Sequence, residues 1–150
     1  MITVTRKFAF CTGHRLKDHE GGCRNPHGHN YVALVSFTGD GDNMGRIIDF
    51  GELKRLVGGW IDEHWDHGII YARDDTAMAS AMAAFQSIEA ERGFTPPRVY
   101  VMDEAPTAEA MADHLLRQVC PKVLPAGVRA TRVQLWETEN CHATAEATLC

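Results

Sequence analysis

The segment Cys23-Arg24-Asn25-Pro26-His27-Gly28-His29-Asn30-Tyr31 places one thiol and two imidazoles within seven residues. If a strand begins near Pro26, His27 and His29 project from one of its faces and Gly28 from the other. Both rings can then reach a single ion. Zinc takes histidine nitrogen at about 2.0–2.1 Å, and a catalytic site uses three protein ligands with a fourth position left open. His14 is the best third ligand, because it lies just past a segment that alternates like a neighbouring strand; His19, in the same loop, competes for that place. Two alternatives stand beside this one: His27 and His29 flank a glycine turn, or Cys23 closes a four-ligand structural site. Otherwise Cys23 lies beside the metal as base or nucleophile, which requires a cationic or hydrogen-bonding neighbour.

Asp66-His67 supplies an adjacent carboxylate and imidazole. Asp66 can orient His67 for proton exchange with Cys23; alternatively, His67 sits at a helix end where the dipole favours it. Glu137 shares the phase of Val133 and Leu135 at the end of an apolar run. A carboxylate in that phase needs a partner or a ligand's donors unless the strand ends in solvent there.

The elements that must carry these groups are read from periodicity. Ile2, Val4, Phe8 and Phe10 recur at even positions and Tyr31, Ala33, Val35 and Phe37 at odd ones, which predicts two paired, half-buried strands. Between them runs a polar loop, Gly13 to Pro26, of a length that is more often functional than idle. After the turn cluster 39–43, Asp49 is placed to cap a helix carrying Leu53, Val57, Trp60, Ile61 and His64. Thr76 to Arg92 predicts a second helix, stopped by Gly93, whose Met78, Met82, Phe85 and Ile88 are read as packing. Arg98 to Met102 is a short strand. Pro106-Thr107 opens a third helix with Met111, Ala112, Leu115 and Val119 on one side and Pro121 ending it. Strands over Ala130 to Glu137 and Cys141 to Leu149 follow, joined at Thr138-Glu139-Asn140. The expected architecture is α+β: an antiparallel sheet with helices on one face, in a single domain over 1–150.

Composition narrows the function classes. With 150 residues, 45% of them hydrophobic, the chain can bury one core. Its net charge of -5 gives no general attraction to nucleic acid or an anionic membrane. No apolar run suits a membrane span or signal peptide, so a cytoplasmic protein is expected, with the dispersed Cys11, Cys23, Cys120, Cys141 and Cys150 as reduced thiols.

Taken in order, Phe10-Cys11-Thr12-Gly13-His14-Arg15-Leu16, Cys23-x-x-x-His27-Gly28-His29-Asn30-Tyr31, Ile48-Asp49-Phe50-Gly51-Glu52-Leu53-Lys54, Asp66-His67, Pro106-Thr107-Ala108-Glu109 and Trp136-Glu137-Thr138 resemble the 6-pyruvoyltetrahydropterin synthase / 6-carboxytetrahydropterin synthase family. The resemblance implies a tunnelling fold. A four-stranded antiparallel sheet with helices on one face assembles there into a trimeric barrel, and two trimers form a homohexamer with active sites between subunits. It also implies Zn2+ on His14, His27 and His29, proton transfer by Cys23, Asp66 and His67, and a pterin held by Glu137 with Thr107 and Glu109 near it. The implied substrate is 7,8-dihydroneopterin triphosphate. The three-residue gap between Cys23 and His27 is similar to the bacterial branch, which forms 6-carboxytetrahydropterin, acetaldehyde and triphosphate on the queuosine route. Residues 124–128 and 137–140 look more like the animal branch, so a pyruvoyl-forming synthase is the alternative, and a non-catalytic zinc- and pterin-binding assembly module a third. Arg15, Lys17 and Arg24 are the local cations for the triphosphate. The chain departs from the family at Gly68-Ile69-Ile70-Tyr71, where Leu-Asn is usual, at Ala110, where Asn is common, and in its longer 71–97 segment.

Overall fold

A computed structural model describes residues 2–148. Six strands, β1 (Val4–His14), β2 (His27–Gly39), β3 (Gly68–Ala72), β4 (Arg98–Met102), β5 (Val128–Trp136) and β6 (His142–Glu146), form one sheet in the order β4-β3-β1-β2-β5-β6. Three helical stretches accompany them: 50–64, Thr76–Glu91 and 108–123. The mixed α+β character is as expected, but the sheet has six strands instead of four and is not wholly antiparallel. β3 runs parallel to both β1 and β4. The reason lies in the departing segment, where the apolar runs Ile69-Ile70-Tyr71 and Val99-Tyr100-Val101 bracket helix Thr76–Glu91, and a helical crossover returns the chain in the same direction.

The remaining pairs are antiparallel: β1 with β2, β2 with β5, and β5 with β6. β1 and β2 are longer than their apolar alternation; β1 ends and β2 begins with a histidine, His14 directly opposite His27. Expected strand residue Leu149 and the thiol of Cys150 lie outside the described residues.

Period-two alternation decides which face is covered. Phe8, Phe10, Tyr31, Ala33, Val35, Phe37, Val133 and Leu135 are buried on one face, where Phe10 and Tyr31 stack at 5.3 Å between ring centroids. Against them pack Leu53, Val57 and Ile61 from 50–64, and Met111, Leu115, Leu116 and Val119 from 108–123. Asp49 caps the first helix by accepting from the Gly51 amide at 2.7 Å, as its position predicts. Pro121 does not end the third helix. A π-type stretch, Leu115–Val119, precedes it and a further turn, Cys120–Val123, follows, so the proline falls at a break in register where its missing N–H costs little.

The other face of the sheet is uncovered. Thr5, Lys7, Cys11 and Asn30 are exposed there, and Val32, Leu34 and Trp136 line a cavity of about 720 Å³. Helix Thr76–Glu91 does not pack as its methionine spacing suggests. Met78 is its one buried residue, while Phe85 and Ile88 are 48% and 53% exposed. Its stripe reaches past the core because the helix bridges the two outermost parallel strands. Among the described residues no helix is long and apolar enough to cross a membrane.

Candidate active site

Three histidines converge where β1 ends and β2 begins. Each offers a nitrogen, and those of His14, His27 and His29 lie within 4.8 Å of one another. Tetrahedral zinc would hold its nitrogens roughly 3.3 Å apart, given bonds of about 2.0–2.1 Å. The rings are already oriented from behind. His14 Nδ1 donates to the Pro106 carbonyl at 2.8 Å, and His27 Nδ1 donates to the Asn25 carbonyl at 2.7 Å. Each neutral ring then carries its one proton on Nδ1 and presents a bare lone pair at Nε2.

Those two Nε2 atoms face each other at 3.0 Å. Two acceptors at that distance repel unless a cation lies between them. His29 Nε2 is buried and has no hydrogen-bond partner; its nearest charged neighbour is Glu137 Oε1, at 3.5 Å. Facing lone pairs together with an orphaned third nitrogen are what a divalent cation would satisfy, so the donor set fits a metal. Neither His19 nor Cys23 belongs to the cluster, so the competing third ligand and the closed four-ligand site are not what the structure assembles. Burial holds the His14 pKa below its ordinary value; His27 adds to the effect and the Pro106 carbonyl opposes it. Tyr31, two residues beyond His29, brings its hydroxyl to 3.3 Å from His14 Nδ1, and burial followed by the Glu137 charge pushes its pKa up.

Beside the cluster lies a cavity of about 340 Å³ lined by Cys23, Thr107, Glu109, Glu137, His19 and Cys141, among others. Glu137 joins cavity and cluster, because it leaves β5 in the phase of the buried Val133 and Leu135 and turns its carboxylate toward His29. It is 26% exposed, so the strand does not simply release it into solvent. Cys23 is half-buried in a single 3-10 turn, Gly22–Arg24. Thr107 caps the third helix by accepting from the Ala110 amide at 3.1 Å, which leaves Glu109 exposed at the cavity rim.

Asp66 and His67 lie elsewhere. Asp66 Oδ2 accepts from His67 Nδ1 at 2.6 Å, and its Oδ1 accepts from the Cys11 amide at 2.8 Å. Burial, the largest influence on Asp66, raises its pKa, but the Cys11 amide and His67 together outweigh it and leave the carboxyl below its usual range. His67 has φ 54, in the left-handed region, and its side chain is 80% exposed. A non-glycine residue held there is strained. It lines a second cavity of about 350 Å³ with Cys11, Gly13, Gly28 and Asn30 from the uncovered face of the sheet, and His29 reaches the same cavity. Within one chain, therefore, Cys23 and the Asp66–His67 pair open onto different cavities.

The loop cations are mostly engaged. Arg15 pairs with the buried Asp75 at 3.2 Å, and Lys17 with Asp74 at 3.2 Å and Asp18 at 2.6 Å, whereas Arg24 is exposed. Sequence reasoning missed the carbonyls of Asn25 and Pro106, which no residue type reveals. It also missed Tyr31, which continues the same-face period His27, His29 and was legible from it.

A sequence model of the family described as "6-pyruvoyl tetrahydropterin synthase" matches residues 3–148. A 6-carboxy-5,6,7,8-tetrahydropterin synthase of Rickettsia conorii is 38% identical over 143 residues, covering 94% of this chain and 97% of that protein. A probable 6-carboxy-5,6,7,8-tetrahydropterin synthase of Halobacterium salinarum is 35% identical, covering 89% and 79%. Among solved structures, an uncharacterised protein from Wolinella succinogenes superposes with a TM-score of 0.75 at 25% identity, covering 97% of each chain. The 6-pyruvoyl tetrahydropterin synthase of Caenorhabditis elegans shares the fold with a TM-score of 0.65 at 23% identity, covering 98% and 96%.

Proposed function

The chain belongs to the 6-pyruvoyl tetrahydropterin synthase family, and on that premise we propose that it is a zinc-dependent 6-carboxy-5,6,7,8-tetrahydropterin synthase. It would convert 7,8-dihydroneopterin triphosphate to 6-carboxytetrahydropterin, acetaldehyde and triphosphate, as a step toward queuosine. The observation that carries this reading is the sharing of Glu137 between the three-histidine cluster and the cavity holding Cys23.

His14, His27 and His29 would hold the metal, which when bound supplies Lewis-acid polarisation of substrate oxygens. Glu137 accepts two N–H groups from the guanidine-like edge of the pterin, a bidentate clamp that fixes the ring's orientation. Thr107 and Glu109 border the same end of the cavity. Cys23 lies in the cavity to take and return a proton at substrate carbon. His67, oriented by Asp66, is the group that exchanges that proton with Cys23.

Because the relay opens onto the far face of the same chain's sheet, a second copy supplies it. This supports a tunnelling fold closed into a trimeric barrel, two such trimers making a homohexamer, with residues 1–150 as one synthase domain. The uncovered sheet face and its apolar Val32, Leu34 and Trp136 support the same assembly. Location of Cys23 outside the histidine cluster weighs against a non-catalytic module.

The test is to incubate reduced, zinc-loaded protein with 7,8-dihydroneopterin triphosphate and identify products by mass spectrometry with an acetaldehyde trap. Acetaldehyde with 6-carboxytetrahydropterin is expected. Formation of 6-pyruvoyltetrahydropterin without acetaldehyde would move the protein to the pyruvoyl-forming branch, and binding without turnover would reject the enzymatic reading.

A further inference from the structure

We propose that His19 is a substrate-binding residue, a hydrogen-bond donor that reaches an oxygen of the bound substrate from the loop between β1 and β2. The proposal rests on the pterin-triphosphate reading above and names a contact which that reading leaves open.

Three observations carry it. His19 lines the cavity that also holds Cys23, Glu109 and Glu137, yet it takes no part in the histidine cluster. Its Nδ1 accepts from the Gly21 amide at 2.8 Å, so the neutral ring carries its proton on Nε2 and the free edge is a donor. The third observation concerns Gly21. A Cβ there would lie 3.2 Å from His19 Cε1 and 3.3 Å from Nδ1. The backbone of Gly21, with φ -108, is one that any residue adopts. What glycine provides is room for the imidazole.

The loop is pinned as well. The Leu16 amide donates to the Cys23 carbonyl at 3.0 Å, and the His19 amide to the Leu16 carbonyl at 3.0 Å, so the ring is held in register with Cys23. Donors are needed here, since the charged groups lining the cavity, Glu109 and Glu137, are acidic, and the loop cations Arg15 and Lys17 are tied to Asp75 and Asp74. The other imidazole at this cavity, His142, packs tilted against Trp136 at 4.2 Å between ring centroids and meets the Gln134 amide at 2.9 Å. His19 is the imidazole left free to serve the substrate. The acceptor is an oxygen, either of the triphosphate or of the hydroxylated side chain.

Zinc-loaded full-length protein and the variants His19→Ala, His19→Gln and Gly21→Ala would be titrated with 7,8-dihydroneopterin triphosphate and with 7,8-dihydroneopterin, recording Kd, KM, kcat, zinc content and Tm. His19→Ala should weaken binding by about 10- to 100-fold, the range for a hydrogen bond to a charged group. His19→Gln, which keeps an N–H donor near the place of Nε2, should recover part of that loss, and Gly21→Ala, which displaces an intact imidazole, should show several-fold weakening. A loss confined to the triphosphate ligand identifies phosphate oxygen as the acceptor; an equal loss for both identifies a side-chain hydroxyl. Wild-type affinity in His19→Ala or in Gly21→Ala overturns the proposal. So does a His19→Gln variant as weak as His19→Ala with lowered Tm, which marks a structural role. If wild-type protein binds the triphosphate without turning it over, the reaction reading fails while the Kd comparison still judges His19.

Discussion

Stripping the metal from the protein should lower its melting temperature by an amount the site geometry bounds. The two facing lone pairs lie 3.0 Å apart and a third nitrogen is buried without a partner. All three gain a partner when zinc binds the folded state, and the unfolded chain has no such preformed set. At free zinc about 100 times the dissociation constant, the folded state gains about 2.7 kcal/mol. For a chain of 150 residues, each kcal/mol moves Tm by about 2–4 °C, so a shift of about 5–11 °C is expected. Calorimetry on zinc-loaded and chelator-dialysed protein reads it. His29→Ala is the matched control, because that ring's Nε2 has no hydrogen bond to lose; its shift should fall below about 2 °C at the same free zinc. The response to acid has a definite sign. Burial keeps the folded His14 below its ordinary pKa, while the unfolded chain takes up that proton near pH 6.5. The contribution of His14 to metal-free stability is therefore complete above about pH 6.5 and is lost as pH falls toward the lowered folded value. Zinc-loaded protein should lose its extra stability over the same descent, as protons compete for the three nitrogens. Equal melting temperatures with and without chelator in wild-type protein, or an undiminished shift in His29→Ala, would refute the reasoning.

Cys23→Ala should keep its zinc by atomic absorption and keep its fold, yet lose roughly 10²- to 10⁴-fold in kcat, the usual share of a proton-transfer group. Glu137→Gln should weaken pterin binding in a fluorescence titration by about 10- to 100-fold through loss of a charged acceptor, with little change in zinc content. Asp66→Asn should lower kcat and leave zinc content and pterin affinity near wild type, since the pair it breaks lies on the other face of the sheet. Mixed assemblies give the most direct reading of the shared site. Cys23→Ala and His67→Ala are each expected to be inactive alone, whereas their co-expressed mixture should regain roughly a quarter of wild-type activity, because random assembly pairs two intact halves at about one interface in four. A mixture as inactive as its parents would place both groups in one chain's site.

Much of the fold was legible because burial on one face leaves a period of two in the sequence. Phe8 and Phe10 against Tyr31, Ala33 and Val35 gave both the strands and their pairing, and Asp49 and Thr107 announced their helices by capping chemistry. Arg98–Met102 was legible as a short strand, but β3 and its parallel pairing with β1 and β4 escaped, since a short apolar run of five residues carries no alternation to separate a strand from a connecting segment. The methionine spacing of Thr76–Glu91 misled for a related reason. Helical period tells which residues share a face, but it cannot tell whether any surface of the same chain meets that face.

The same division holds at the site. Side-chain identity and the spacing His27-Gly28-His29 disclosed the histidine cluster, because a strand's geometry fixes where alternate residues point. What makes those rings acceptors is the backbone of Asn25 and Pro106, and every residue offers a carbonyl. The Asp66–His67 pair was readable as chemistry and unreadable as position. Asp66 and His67 are adjacent and hydrogen-bonded as expected, but β3 pairs with β1 directly after them, and that pairing delivers His67 to a cavity that Cys23 does not line. On the proposed reading, a proton path between Cys23 and His67 would be a property of how chains meet, and the mixed-assembly experiment tests it at that level.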